Sequence, residues 1–198
     1  MIRFVVTGHR AHSTADFKLD DIAGGAGRLD ILVRCVNSSF FLSHALRQDT
    51  ELFLVLMGGT DPPKTVRFSG KELKYLNPDE RSTSSLIRNA LLKKLGDGET
   101  KASPGIYVSK MSFKDVVDGL GGVSEISYLK EDGKDIREMN MQEDMTFILG
   151  DDRDLTEEEE SVVLSHDPEK ICLGPKSLHA DHCIILVHNE IDRRAARN

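Results

Sequence analysis

The chain has 198 residues, 39% hydrophobic and 30% charged, which suits one globular domain with a sizeable core. No apolar run approaches the ~20 residues that span a bilayer, and the short apolar start Met1–Thr7 lacks a signal-peptide pattern, so a cytoplasmic location is expected. The formal net charge of -7 argues against a simple nucleic-acid binder, yet the charge is uneven: residues 1–101 hold 15 Lys+Arg against 12 Asp+Glu, residues 102–198 hold 11 against 21. A polyanion would therefore be drawn to the first half.

In chain order, Ile2 to Thr7 reads as a first strand closed by Gly8. A polar loop with Gly24-Gly25-Ala26-Gly27 follows. Leu29, Leu32, Val33, Val36, Phe40 and Phe41 recur at helical spacing, predicting a helix from Leu29 to Leu46 that Asn37-Ser38-Ser39 can split. Glu51 to Met57 is a buried strand stopped by Gly58-Gly59, and Pro62-Pro63 keeps the next stretch non-helical. Thr65 to Ser69 alternates like a strand. Thr83 to Leu95 is helical, and Ile106 to Val108 is a short strand. Ser112 caps a helix to Leu120.

Further on, Glu125 to Leu129 is a strand, with Lys130 to Lys134 a charged turn around Asp132-Gly133. Met145 to Leu149 is a buried strand closed by Gly150. Thr156 caps an acidic helix start, favourable at the positive end of the dipole. Lys170 to Leu173 is a last strand, and Leu178 to Ala195 a last helix, with Arg193, Arg194 and Arg197 at its end. Strands and helices alternate, so the expected class is α/β with a mostly parallel sheet flanked by helices, in a single domain over residues 1–198.

Familiar motifs fail. There is no P-loop, no G-x-G-x-x-G after a strand and no G-x-S-x-G elbow. Cys35, Cys172 and Cys183 are odd in number and form no C-x-x-C pair, which points to free thiols acting as small apolar residues. His179, His182 and Cys183 could face one metal, but no second ligand cluster accompanies them, so no metal site is expected. What remains are three strand ends: Ser127-Tyr128-Leu129, Phe147 to Asp152, and Ile171 to Ser177. Ligands bind beyond the carboxyl ends of strands in open α/β sheets. These segments read either as a small-molecule pocket or as ordinary βα turns that use glycine for geometry.

Phe147-Ile148-Leu149-Gly150-Asp151-Asp152-Arg153-Asp154-Leu155-Thr156 and Ile171-Cys172-Leu173-Gly174-Pro175-Lys176-Ser177-Leu178, running into a C-terminal helix, resemble the pattern of SPOUT-class RNA methyltransferases. Phe4 to Arg10, Gly58-Gly59-Thr60-Asp61-Pro62-Pro63-Lys64 and Arg81 to Arg88 resemble one subfamily, the archaeal tRNA pseudouridine-54 N1-methyltransferases. The resemblance spans essentially the whole chain. It implies a SPOUT α/β knot, with a deep trefoil knot over about residues 125–198, and a homodimer acting on tRNA with S-adenosyl-L-methionine. Carried over, Leu129, Gly150, Ile171, Cys172, Leu173, Gly174, Pro175, Lys176 and Cys183 would line the cofactor site.

Methyl transfer to N1 of pseudouridine must lose the N1 proton, and Asp61 is the candidate general base; its alternative role is to cap the turn. Lys64, Arg67, Lys71, Arg81 and Arg88 would hold RNA phosphates, since residues 64–101 carry 9 Lys+Arg against 5 Asp+Glu. Other enzymes of the same fold, acting on ribosomal RNA or a ribose 2'-oxygen, and a non-enzymatic RNA-binding protein stay open at this level.

Overall fold

The computed structural model describes residues 1–196; Arg197, expected at the end of the last helix, lies outside them. Strands are β1 (Ile2–His12), β2 (Thr50–Gly58), β3 (Lys64–Ser69), β4 (Thr100–Ser103), β5 (Ile106–Ser109), β6 (Glu125–Asp135), β7 (Met145–Gly150) and β8 (Glu169–Cys172). Helices are α1 (Leu29–Phe40), α2 (Glu80–Leu91), α3 (Phe113–Gly121), α4 (Glu157–Leu164) and α5 (Ala180–Ala195). The strands form one sheet in the order β4-β5-β3-β2-β1-β7-β6-β8. β2, β1, β7, β6 and β8 run parallel, whereas β3, β5 and β4 extend the sheet antiparallel.

The central strands are apolar on both faces, as a sheet covered by helices on two sides requires. Phe4 and Val6 of β1 and Leu52, Leu54 and Leu56 of β2 enter one core cluster with residues of α1, α2 and α5. Val5, Phe53 and Val55 point the other way, into a second cluster with Phe113, Val116 and Val117 of α3 and Val163 of α4. The period-2 alternation of a strand thus feeds two helix layers.

Local chemistry explains the boundaries. Ser112 and Thr156 start α3 and α4 as expected, each in a reciprocal capping box with Asp115 or Glu159 three residues on. α2 begins earlier than Thr83 because Asp79 accepts from the Ser82 amide. α1 runs through Asn37-Ser38-Ser39, where the Ser39 hydroxyl donates to the Cys35 carbonyl, and ends where Phe41 turns extended and bridges to Leu46. β4 was not expected, being four residues with no apolar run.

The largest departure is the turn expected at Lys130–Lys134. β6 continues through it, with an irregularity that lets both Leu129 and Lys134 pair with Ile171 of β8. Gly133 makes that approach possible: a Cβ there would lie 2.6 Å from the Ile171 amide nitrogen.

Candidate functional site

The irregular middle of β6 and the carboxyl ends of β7 and β8 open into a cavity of about 380 Å³. Ligand cavities typically measure ~300–1,000 Å³. Leu129, Lys130 and Glu131 come from β6, and Leu149 and Gly150 from β7 with the following Asp151–Asp154. Leu173, Gly174, Lys176, Ser177 and Leu178 come from the segment after β8, and His179, Ala180 and Cys183 from the start of α5. Arg28 and Ile31 close the remaining side.

Six of the nine residues assigned by resemblance to the cofactor therefore stand on one cavity wall: Leu129, Gly150, Leu173, Gly174, Lys176 and Cys183. The other three do not. Ile171 is fully buried in the core, the Cys172 thiol turns back to donate to the Gly174 carbonyl at 3.1 Å, and Pro175 is not among the lining residues. Gly150 is sterically required, because a Cβ there would meet the Arg153 carbonyl oxygen at 2.0 Å. Burial, with Glu131 and Asp181 nearby, pushes the Cys183 thiol up to about 11, so this sulfur is a neutral wall atom and not a nucleophile.

Behind the cavity lies a charge cluster to which sequence reasoning gave no role. The register pairs Thr7 of β1 with Gly150 of β7, so His9 and Arg10, further along β1, meet the residues that follow β7. His9 Nδ1 is 2.9 Å from Asp151 Oδ1, the His9 amide donates to Asp151 Oδ2 at 3.0 Å, and His9 Nε2 is 3.0 Å from Glu159 Oε2. The hydrogen bonds to Asp151 and Glu159 raise His9 to about 9, against the opposing pull of burial. Burial pushes the Asp151 and Glu159 carboxyls up, but the His9 hydrogen bond and charge outweigh it and both sit below their usual range. His9 is thus an imidazolium held between two carboxylates, and Glu159 also caps α4. Arg10 pairs with Asp152, which Arg28 approaches at 3.5 Å. The usable sequence signal was two strand ends with complementary charges, Gly8-His9-Arg10 and Gly150-Asp151-Asp152. It needed the β1–β7 adjacency to become visible.

Asp61 lies elsewhere, on the β2–β3 loop, exposed and outside the cavity lining. Its carboxylate is 2.9 Å from Lys64 Nζ, and that hydrogen bond and charge, with Lys110 beyond, hold it below the usual carboxylate range. Lys64 is itself buried. Arg67 is engaged on both sides, by Glu51 at 2.8 Å and Glu99 at 2.7 Å, and lies 4.3 Å over the Tyr107 ring. Arg81 pairs with Asp20 at the surface, Arg88 donates to the Ala15 carbonyl at 3.3 Å, and Lys71 is exposed. Among the described residues no group of three His, Cys, Asp or Glu side chains converges as a metal site, and no helix is long and apolar enough to cross a membrane.

Comparison with known proteins gives this geometry a context. A family described as putative SAM-dependent RNA methyltransferases matches residues 1–196. A tRNA (pseudouridine(54)-N(1))-methyltransferase of Methanocella arvoryzae is 50% identical over 195 residues, covering 98% of this chain and 100% of the relative. One from Haloferax volcanii is 46% identical over 195 residues, covering 97% and 96%. A crystal structure of Archaeoglobus fulgidus Nep1 bound to S-adenosylhomocysteine shares the fold at a TM-score of 0.66 and 14% identity, covering 98% of each chain. The chain belongs to the family of SAM-dependent RNA methyltransferases.

Proposed function

We infer that the protein transfers the methyl group of S-adenosyl-L-methionine to N1 of pseudouridine 54 in the T-loop of tRNA. The observation that carries the reading is the cavity formed by the irregular middle of β6 and the ends of β7 and β8, in a chain half identical to enzymes named for this reaction.

The cavity suits the cofactor chemically. Leu129, Leu149, Leu173 and Ala180 offer apolar walls for an adenine ring. Glu131 and Asp154 offer negative charge to a cationic donor, while Lys176 can face a carboxylate; Arg28 is held by Asp30 at 3.0 Å. When bound, the cofactor supplies a methyl group on a sulfonium that a nitrogen nucleophile displaces in line.

The chain's own residues hold that arrangement and remove water from it, so most of the rate comes from orientation. His9, with Asp151 and Glu159, fixes the loop after β7 that forms one wall. In this reading Asp61 takes the N1 proton, which requires tRNA binding both to release it from Lys64 and to bring the β2–β3 loop to the cavity, whose lining it does not join in the free protein. Lys71, Arg81 and Arg88 meet tRNA phosphates. Lys64 and Arg67 can do so only by exchanging their present carboxylate partners.

The reading includes a trefoil knot, supported by the fold shared with Nep1 and by the parallel order β7-β6-β8 at the C-terminal side of the sheet. It includes a homodimer, supported by the exposed Leu178 and Ile185 at the last helix, and a cytoplasmic location, where tRNA resides.

The test is methyl transfer to two T-loop transcripts, one with pseudouridine and one with uridine at position 54, with the methyl group placed by mass spectrometry. Methylation of the base nitrogen in the first transcript alone is expected. Equal labelling of the uridine transcript, or a methyl group on ribose, overturns the substrate assignment.

A further inference from the structure

Outside the cavity, one side chain is placed against its own preferences. Tyr75 sits in the β3–α2 loop with φ +63°, a left-handed backbone that is costly for a bulky residue, and 77% of it is exposed. Core packing does not account for this, because the ring makes little contact with the protein. Leu76, next in the chain, and Leu73, two residues before, are buried and anchor the loop, while Lys74 and Tyr75 between them are exposed. Beside it runs a shallow groove of about 340 Å³ lined by Leu19, Tyr75, Arg81, Ser82, Ser85 and Leu86.

The groove has what an unstacked nucleotide needs. Tyr75 offers a flat aromatic face, Leu19 and Leu86 an apolar floor, Ser82 and Ser85 hydroxyls for base edges, and Arg81 a cation for phosphate. Among the described residues Arg81 pairs with Asp20 alone, an exposed carboxylate that a phosphate can replace. Exposed Lys71 and Lys74 lie on the same loop, balanced by Glu72 and Asp79, within a longer stretch of 9 Lys+Arg against 5 Asp+Glu that favours a polyanion although the whole chain carries -7. The segment between β1 and α1 also ties groove to cavity, since Leu19 and Asp20 stand at the groove while Arg28 lines the cavity.

We propose that Tyr75 and the groove beside it form a base-stacking subsite that holds an unpaired nucleotide of the tRNA, distinct from the nucleotide being methylated. This rests on the reading of the protein as a tRNA methyltransferase. Tyr75 is a substrate-binding residue here and takes no part in the chemistry.

The experiment is tRNA binding and methylation by the full chain carrying Tyr75→Ala, Tyr75→Phe, Tyr75→Gly or Tyr75→Trp. Tyr75→Ala should weaken tRNA binding about tenfold, with S-adenosylmethionine affinity unchanged, and Tyr75→Phe should keep most of the affinity. Tyr75→Gly should lose tRNA affinity equally while its melting temperature holds or rises, because glycine accepts the left-handed backbone. A residue kept for folding would not separate these two measurements. The chain has no tryptophan, so Tyr75→Trp provides a single indole whose fluorescence should be quenched when tRNA stacks on it. If the wild type methylates tRNA but Tyr75→Ala binds it equally well, or the indole signal does not respond to tRNA, the subsite is overturned and the enzymatic reading stands. A wild type that binds no tRNA overturns both.

Discussion

The junction of β1, β7 and α4 and the basic stretch of residues 64–101 both carry paired charges, but the pairs are built for different ends. At the junction the His9, Asp151 and Glu159 side chains are 11%, 2% and 10% exposed, and each bond fixes the loop that walls the cavity. In the basic stretch Arg81 and its partner Asp20 are 67% and 79% exposed. Buried pairs are costly to break from one side because they leave an uncompensated charge, whereas exposed pairs exchange partners at little cost. A cofactor pocket gains from the first property and a surface that must accept RNA phosphates gains from the second. The positions of Lys64 and Arg67 complicate that division, since both lie in the basic stretch yet are buried or clamped like the junction residues.

The contrast can be broken most severely at His9. Replacing it with alanine leaves Asp151 and Glu159 facing each other without a cation. His9→Ala should lower stability by about 3 kcal/mol and weaken cofactor binding. Urea denaturation and calorimetry with S-adenosylmethionine would measure both, and an unchanged denaturation midpoint would remove the clamp from the account.

Asp61→Asn should lower turnover about 100-fold, the size of a modest general-base contribution, and leave cofactor affinity intact. If affinity falls while turnover at saturation does not, Asp61 serves the turn and not the proton.

A smaller effect sharpens the comparison through pH. His9 is raised from 6.5 to about 9 in the folded protein, so its stabilising contribution is complete below pH 6.5 and is lost as pH rises through about 9. Asp151 and Glu159 are lowered, so theirs is present above their ordinary values of 3.8 and 4.5 and fades as pH falls. The clamp is therefore complete between about pH 4.5 and 6.5. Wild-type stability should decline from pH 6.5 to 9.5 by more than that of His9→Gln, as read from denaturation midpoints.

The smallest effect separates the two kinds of arginine. Arg81→Ala should change stability by less than about 0.5 kcal/mol but flatten the salt dependence of tRNA binding by about one unit of slope. Arg67→Ala should do the reverse, because its guanidinium is held by Glu51 and Glu99 and packed on Tyr107. If both variants flatten the salt slope alike, the distinction between buried and exposed cations fails here.

Much of the architecture was legible from residues alone. Val5 and Val6, or Phe53 and Leu54, are adjacent apolar residues, and such runs mark strands buried on both faces. Ser112 and Thr156 announced the starts of α3 and α4 through a hydroxyl and an acid three residues on. The antiparallel extension through β3, β5 and β4 was not legible, because β4 has no apolar alternation of its own and is recruited by pairing with β5. The bend of β6 at Lys130–Lys134 was also misread. Asp132-Gly133 has turn chemistry, but there the glycine serves a close crossing of Ile171.

The site divides in the same way. Gly150 and the segment Leu173–Lys176 stand at strand ends and Leu129 at the irregularity of β6 that reads as a strand end in the sequence, and such positions can be found from hydrophobic pattern and glycine placement. That these segments share one cavity and that Ile171 and Cys172 turn away from it depend on β6 lying between β7 and β8, and that His9 meets Asp151 depends on β7 lying beside β1. Strand order is a long-range choice, made by which apolar faces can be covered together, and no local pattern encodes it. The sequence by itself determined which segments become strands and helices and where the chain can bend. Only the tertiary structure decided which strand ends face one another, and hence which side chains form the cavity, which charges are locked behind it, and which remain free at the surface.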